Sequence, residues 1–214
     1  MLKADFHVHT FYSKCSNMKP IDIVKNALIK KYDVLGVVDH NTVKGALLTK
    51  KIAGKRLLII PGEEIMTGQG EVIVFLSDGK YNRNLTDIFE RAKEMNHFFI
   101  IPHPFDFLRR NYFKNDILKV KPDAIEIFNS RVLINRFNEI AERYAEENKI
   151  PKIVGSDAHF IEEIGNATTL IDCESGIESI FKCIKKNKLK FQYRKSSIIP
   201  HFKSNVLLPI ERVF

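Results

Sequence analysis

Short apolar runs of strand length alternate with segments of helical periodicity along most of this chain. Ala4–Val8, Val34–Val38, Leu57–Ile60, Val72–Leu76, Phe98–Ile101, Ala124–Phe128, Lys152–Val154 and Thr168–Ile171 read as strands. Ile21, Val24, Ala27 and Leu28 share one helical face behind Pro20, and Ile88, Phe89, Ala92 and Met95 share another within Leu85–Met95. Phe137, Ile140, Ala141 and Tyr144 recur at the same spacing, and Ile177–Lys186 predicts a last helix. Strands buried on both faces and separated by helices predict a parallel sheet, and this many units fit a closed α/β barrel better than an open sheet. The third run is expected to close at Pro61-Gly62. From Lys195 the alternation ends. Residues 195–214 hold Pro200 and Pro209 among scattered apolar positions and read as a tail packing on the barrel or on a partner, beside a domain of residues 1–194.

Composition narrows the class. A chain of 214 residues, 44% of them hydrophobic, suits one domain with a full core. No run is long and apolar enough to span a bilayer, and Asp5 and His7 stand where a signal peptide needs its apolar segment, so a cytoplasmic location without membrane contact is expected. Cys15, Cys173 and Cys183 are odd in number and scattered, which predicts free thiols. The net charge of +8 fits either a solvated lysine-rich surface or attraction for anions. No basic run carries interleaved aromatics, so nucleic acid is not indicated as a partner.

The chemistry follows from position. His7 and His9 end the first run and, two residues apart, leave one face of a strand. Asp39 and His40 follow the second run, Glu63 and Glu64 the third, His103 the fifth, Asn129 the sixth, and Asp157 and His159 the seventh. The C-terminal ends of parallel barrel strands converge, which gathers these groups in one bowl. Imidazole with carboxylate suits zinc, manganese or iron, and so many ligand types imply at least two divalent ions with a carboxylate such as Glu64 as the bridge. His97, at a helix end, and His201, in the tail, have no ligand role in this reading.

Asp5-Phe6-His7-Val8-His9-Thr10, Val38-Asp39-His40-Asn41-Thr42, Gly62-Glu63-Glu64, Pro102-His103-Pro104 and Gly155-Ser156-Asp157-Ala158-His159 together resemble the PHP (polymerase and histidinol phosphatase) superfamily over residues 1 to about 170. Gly70-Glu71-Val72-Ile73 and Glu126-Ile127-Phe128-Asn129-Ser130-Arg131 are similar to a stand-alone subgroup described as predicted phosphoesterases. The resemblance implies a distorted TIM-like barrel of about seven parallel strands with outer helices, binding two or three divalent ions. It implies a first metal position from His7, His9, Glu64 and Asp157, a second sharing Glu64 with His103, and a third with His40 and His159. Two departures stand out. Ser13-Lys14-Cys15 replaces the usual third-site ligand, which leaves Cys15 as a thiolate ligand or an inert thiol and Lys14 as a contact for substrate phosphate. Glu71 stands where relatives often carry a histidine and is a further ligand candidate.

The activity expected is hydrolysis of a phosphate monoester or small nucleotide-like substrate by a metal-activated hydroxide, with Glu64, Asp157 and His159 as catalytic residues. His159 is the candidate to protonate the leaving group, and Asp39 the candidate to orient an imidazole. Asn129, Arg131, and Arg109 or Arg110 are candidates to bind the phosphate, each arginine alternatively a solvated surface group. A nuclease acting on phosphodiesters, and a non-catalytic metal-binding module, are the alternatives. Substrate identity and oligomeric state stay open.

Overall fold

The computed structural model describes residues 1–109, 112–113, 117–197, 199–200 and 204. Arg110, His201 and most of the tail lie outside the described residues. Among the described residues, nine strands form one sheet in the order β7-β6-β5-β4-β3-β2-β1-β8-β9. They are β1 (Leu2–Val8), β2 (Val34–His40), β3 (Leu58–Thr67), β4 (Gly70–Phe75), β5 (Phe98–Ile101), β6 (Ala124–Asn129), β7 (Lys152–Gly155), β8 (Ala167–Ile171) and β9 (Leu189–Tyr193). The helices are α1 (Pro20–Ile29), α2 (Lys44–Ala53), α3 (Leu85–Glu94), α4 (Ile117–Val120), α5 (Asn135–Glu147) and α6 (Ile177–Lys185). Pro20 opens α1 without a lost hydrogen bond, and the Asn84 side chain caps α3 by accepting from Thr86 N and Asp87 N. Among the described residues no helix is long and apolar enough to cross a membrane.

Strands β1 to β7 curl into a nearly closed barrel. The seam is a single bridge between Val8 and Ala158, where His9 N donates to Ala158 O at 2.9 Å and Ala158 N to His7 O at 3.1 Å. Lower down, β8 takes the free edge of β1 instead, antiparallel from Leu2↔Ile171 to Ala4↔Thr169. The α/β barrel class holds, but the all-parallel expectation does not. β1–β2, β2–β3, β5–β6 and β6–β7 are parallel, whereas β4 runs antiparallel to both neighbours, and β8 and β9 form an antiparallel extension outside the barrel. The cause is local. Strand β3 does not close at Pro61-Gly62 but continues to Thr67, and a two-residue Gly68-Gln69 turn sends β4 straight back, with no helix to reverse the chain.

The core has two layers. Ala4, Phe6, Val34, Val38, Ile60, Phe75, Ile100, Ala124 and Ile153 fill the barrel interior, and Ile180, Phe181 and Ile184 of α6 plug its floor. Leu35, Val37 and Ile59 pack outward among the apolar residues of α1 and α2, while Val72, Phe99, Ile101 and Ile127 do so among those of α3 and α5.

Two irregularities aim the site. Relative to β2, β1 holds one extra residue between Asp5 and Val8, so Phe6 and His7 both turn inward while Val8 packs outside. Relative to β7, β6 holds one extra residue between Glu126 and Phe128, and Phe128 packs outside while Glu126 and Asn129 meet over the interior.

Candidate metal centre

Above the apolar floor, the upper ends of the strands bring histidines and carboxylates into one enclosed cluster. His7 Nε2 lies 3.1 Å from His9 Nε2, 3.5 Å from Glu64 Oε1 and 3.5 Å from Asp157 Oδ1. His9 Nε2 lies 3.4 Å from Glu64 Oε2 and 3.1 Å from Asp157 Oδ1. All four side chains are buried.

Hydrogen bonds behind the rings fix which nitrogen faces the cluster. His7 Nδ1 stands 3.0 Å from Glu126 Oε1, and a carboxylate only accepts, so Nδ1 carries a proton and Nε2 is the nitrogen that faces inward. His9 is set by a relay. Ser13 Oγ donates to Asp39 Oδ1 at 2.6 Å, so it must accept from His9 Nδ1 at 3.2 Å, leaving Nε2 as the inward lone pair. Asp39 also accepts from Thr10 N and Thr10 Oγ1, each at 2.7 Å. It thus orients an imidazole, as the sequence suggested, but through Ser13.

Around this quartet stand two further groups. His103 Nε2 lies 3.1 Å from Glu64 Oε1 and 3.7 Å from Glu71 Oε2. Glu71 enters from the start of the reversed strand β4, which is why no reading of strand ends finds it. On the other side, ring nitrogens of His9, His40 and His159 all lie within 4.8 Å of one another. His40 Nδ1 is 3.0 Å from Glu64 Oε2, and Cys15 Sγ is 3.1 Å from His159 Nε2. His159 Nδ1 gives its proton to Asp157 O at 2.7 Å, so Nε2 carries a lone pair. That geometry suits a ligand and not the proton donor expected of His159. His103 (φ 29°) and Asp157 (φ 54°) hold left-handed backbone that non-glycine residues adopt at a cost, as at many functional sites.

The charges are arranged for a cation. Burial disfavours charge on His7, yet Asp157, Glu126 and Glu64 outweigh it and hold its proton well above the ordinary histidine range. His40 is held up likewise, against burial, by Glu64. Glu64 and Asp157 stay ionised well below the usual carboxylate range despite burial, the first through His7 and His40, the second through Arg109 and His7. Burial and the charge of Glu64 push Glu71 up. Glu64 Oε2 and His40 Nδ1, both buried, face each other at 3.0 Å. The carboxylates thus hold protons on His7 and His40 at the place where a divalent ion would replace them, and imidazoles with ionised carboxylates around one point are a ligand set for divalent metal. The residues present therefore fit the ions that the sequence implies.

The remaining site expectations divide. Arg109 reaches into the cluster, donating to Asp157 Oδ2 at 2.6 Å, Asp106 Oδ2 at 3.0 Å and Asn129 Oδ1 at 3.4 Å. Arg131 turns away: its Nη1 pairs with both oxygens of Glu163 at 2.9 and 2.8 Å, and Nη2 donates to Ser204 Oγ of the tail. It braces the loop through Glu163, which accepts from His159 N at 3.0 Å, and its fork is not presented to substrate. Asn129 Nδ2 donates to Glu126 Oε2 at 2.8 Å, which makes Asn129 a support for Glu126. Lys14 is exposed and Cys15 half-buried. Glu63 faces away from Glu64 and accepts from Ser77. His97 pairs with Tyr81 OH at 2.6 Å, outside the cluster as expected. The sequence reading missed Glu126, Ser13 and Asp106. A lone carboxylate inside the apolar run Ala124–Phe128 was the signal for the first. Ser13 and Asp106 carried none.

Fold and centre together define a metal-binding α/β barrel built on a buried histidine–carboxylate cluster. Residues 135–189 match the family model described as PHP-associated. The uncharacterized protein MJ0417 of Methanocaldococcus jannaschii is 35% identical over 96% of this chain and 85% of its own length. A two-domain protein of Bacteroides vulgatus containing a predicted PHP-like metal-dependent phosphoesterase superposes with a TM-score of 0.77 at 18% identity, over 90% of this chain and 65% of that one. The lesion-specific endonuclease PfuEndoQ of Pyrococcus furiosus superposes with a TM-score of 0.61 at 18% identity, over 89% of this chain and 57% of that one. The chain belongs to the PHP superfamily.

Proposed function

We propose that this protein hydrolyses phosphate esters, a monoester or small nucleotide-like substrate in first place. The observation that carries the reading is the convergence of His7, His9, Glu64 and Asp157 on one point, with Glu64 shared by His103 on its far side. His7, His9, Glu64 and Asp157 would hold one divalent ion, Glu64, Glu71 and His103 a second, and His40 and His159 a third. Bound there, zinc, manganese or iron supplies Lewis acidity, activating water and neutralising charge on the transferring phosphoryl group. The chain does the rest. Glu126 and the Asp39–Ser13 relay hold the two N-terminal imidazoles in their ligand tautomers. Arg109, the guanidinium that reaches the cluster at Asp157, is placed to take a phosphate oxygen on its fork. The closed floor of Phe6, Phe75 and Ile100 keeps bulk water to one side of the cluster.

The net charge of +8 favours one second reading, a nuclease drawing its substrate through the phosphate backbone. Steep loss of substrate affinity with rising salt would mark it. Residues 1–194 are proposed as the metal-binding domain and 195–214 as a tail laid on it, a reading supported by the contacts of Ser196 and Ser204 with Ser130 and Arg131.

The test compares wild type with Asp157→Ala for bound metal and for hydrolysis of monoesters, diesters and oligonucleotides. Two or more ions per chain, with activity abolished by the substitution, support the reading. Bound metal without turnover on any phosphate ester would replace it with a non-catalytic metal-binding module.

A further inference from the structure

We propose that the C-terminal tail is a positioning part of the metal centre. Ser196 and Ser204 act through Ser130 and the Arg131–Glu163 pair to hold residues 156–160 in the shape that presents Asp157 and His159 to metal. The inference deepens the metal-centre reading above and rests on it.

Two lines of contact run from the tail to this loop. The first goes through Ser130. Ser196 N donates to Ser130 O at 2.8 Å, and the two side-chain oxygens lie 2.9 Å apart. Ser130 Oγ in turn donates to Ser156 O, the carbonyl immediately before Asp157. The second line goes through a buried ion pair. Ser204 Oγ, itself buried although it lies in the tail, accepts from Arg131 Nη2, while Arg131 Nη1 pairs with both oxygens of Glu163. Glu163 Oε2 then accepts from His159 N at 3.0 Å and Phe160 N at 3.2 Å. Asn166 joins the two lines: its Nδ2 donates to Ser196 Oγ at 2.9 Å and its N to Glu163 O at 2.9 Å.

The loop needs these holds. Asp157 keeps a left-handed backbone (φ 54°) that costs energy in a residue with a side chain, so the conformation persists only where neighbours fix it. Ser130 grips the loop just before Asp157, and Glu163 grips it just after. Glu163 by itself would be a buried, uncompensated charge, and Arg131 supplies the opposite one. Without the Ser204 hydroxyl, a buried N–H of the guanidinium loses its acceptor, which loosens the fork on Glu163 and the bonds to His159 N and Phe160 N. Ser16 Oγ holds His159 O from another side at 3.0 Å, so loss of the tail contacts loosens the loop without releasing it. The effect therefore falls on the ions that Asp157 and His159 would hold, and spares the position at Glu71 and His103.

The test uses the full chain and compares the double variant Ser196→Ala/Ser204→Ala with wild type and with Ser197→Ala, an exposed neighbour in the same tail. In the metal-free proteins, amide hydrogen exchange at His159 and Phe160 should speed about tenfold in the double variant alone. Its zinc affinity, titrated against a competing chelator, should fall about tenfold. Unchanged exchange at both amides overturns the proposal. So does a double variant that unfolds more easily yet binds zinc as wild type does, since the tail would then stabilise the fold without positioning ligands. Faster exchange and weaker zinc binding in a protein that hydrolyses no phosphate ester support the positioning role and sink the proposed function alone. Hydrolysis by wild type, with wild-type exchange and zinc affinity in the double variant, does the reverse.

Discussion

His7 Nδ1 and Glu126 Oε1 stand 3.0 Å apart, both side chains fully enclosed, and this contact decides which nitrogen of His7 faces the histidine–carboxylate cluster. Glu126 Oε2 also accepts from His103 N and Asn129 Nδ2, so one carboxylate is surrounded by three donors. An amide in its place must turn its NH2 toward one of them. Glu126→Gln is therefore expected to weaken metal binding about 10- to 100-fold. Titration with zinc or manganese against a competing chelator checks this, and unchanged affinity would remove Glu126 from the machinery.

Gly155 leaves room for that carboxylate. A Cβ at this position would stand 1.9 Å from Glu126 Oε1 and 2.6 Å from His7 Cβ. Gly155→Ala should cost stability on the order of 2 kcal/mol and lower metal content, because Glu126 must retreat from His7. Gly68→Ala, where an added Cβ meets nothing within 4 Å, is the control and should leave metal content unchanged. Denaturant unfolding and metal counting on both variants separate the outcomes.

Arg109 has a separate prediction. Its Nη2 is 2.6 Å from Asp157 Oδ2 while its Nε binds Asp106, so the guanidinium is held at the cluster by two acids. Removing a charge-assisted contact to phosphate by Arg109→Ala should lower kcat/KM about 10- to 100-fold. Arg109→Lys should recover only part of this, since an ammonium cannot make the two-pronged contact. Equal metal content in all three proteins would place the loss in substrate binding, and an unaltered kcat/KM would exclude Arg109 from it.

Asp5 gives the pH dependence. It is buried at the foot of the seam, accepting from His7 N, Ser156 N and Gly165 N, and burial pushes its carboxyl up to about 6 from the ordinary 3.8. A raised folded-state pKa means that the native state holds the proton more tightly. The stabilising contribution is then full below 3.8 and lost as pH rises through 6. Relative to wild type, Asp5→Asn should accordingly gain about 2 kcal/mol between pH 4 and pH 6.5. Urea unfolding at both values reads this difference, and a gap that does not change with pH would show that Asp5 does not titrate there.

The barrel class and the gathering of His7, His9, His40, Glu64, His103, Asp157 and His159 at one end were legible in the chain itself. Periodicity distinguishes strand from helix without knowledge of neighbours, and His-x-His at the end of a strand carries its own geometry. The reversal of β4 was less visible, because Pro61-Gly62 reads as a stop although β3 passes through it to the Gly68-Gln69 turn. What only the tertiary structure decided lies in two extra residues and three bonds. The irregularities in β1 and β6 aim Phe6 with His7 and Glu126 with Asn129, and they are defined only against the register of a partner strand. The pairs His7–Glu126, Ser13–Asp39 and Arg131–Glu163 join residues 119, 26 and 32 positions apart. Whether Arg131 grips a substrate or a neighbouring glutamate depends on which carboxylate the fold brings within reach. Spacing along the chain holds no record of that distance, because contacts of this kind form only when separate strands close around a common interior.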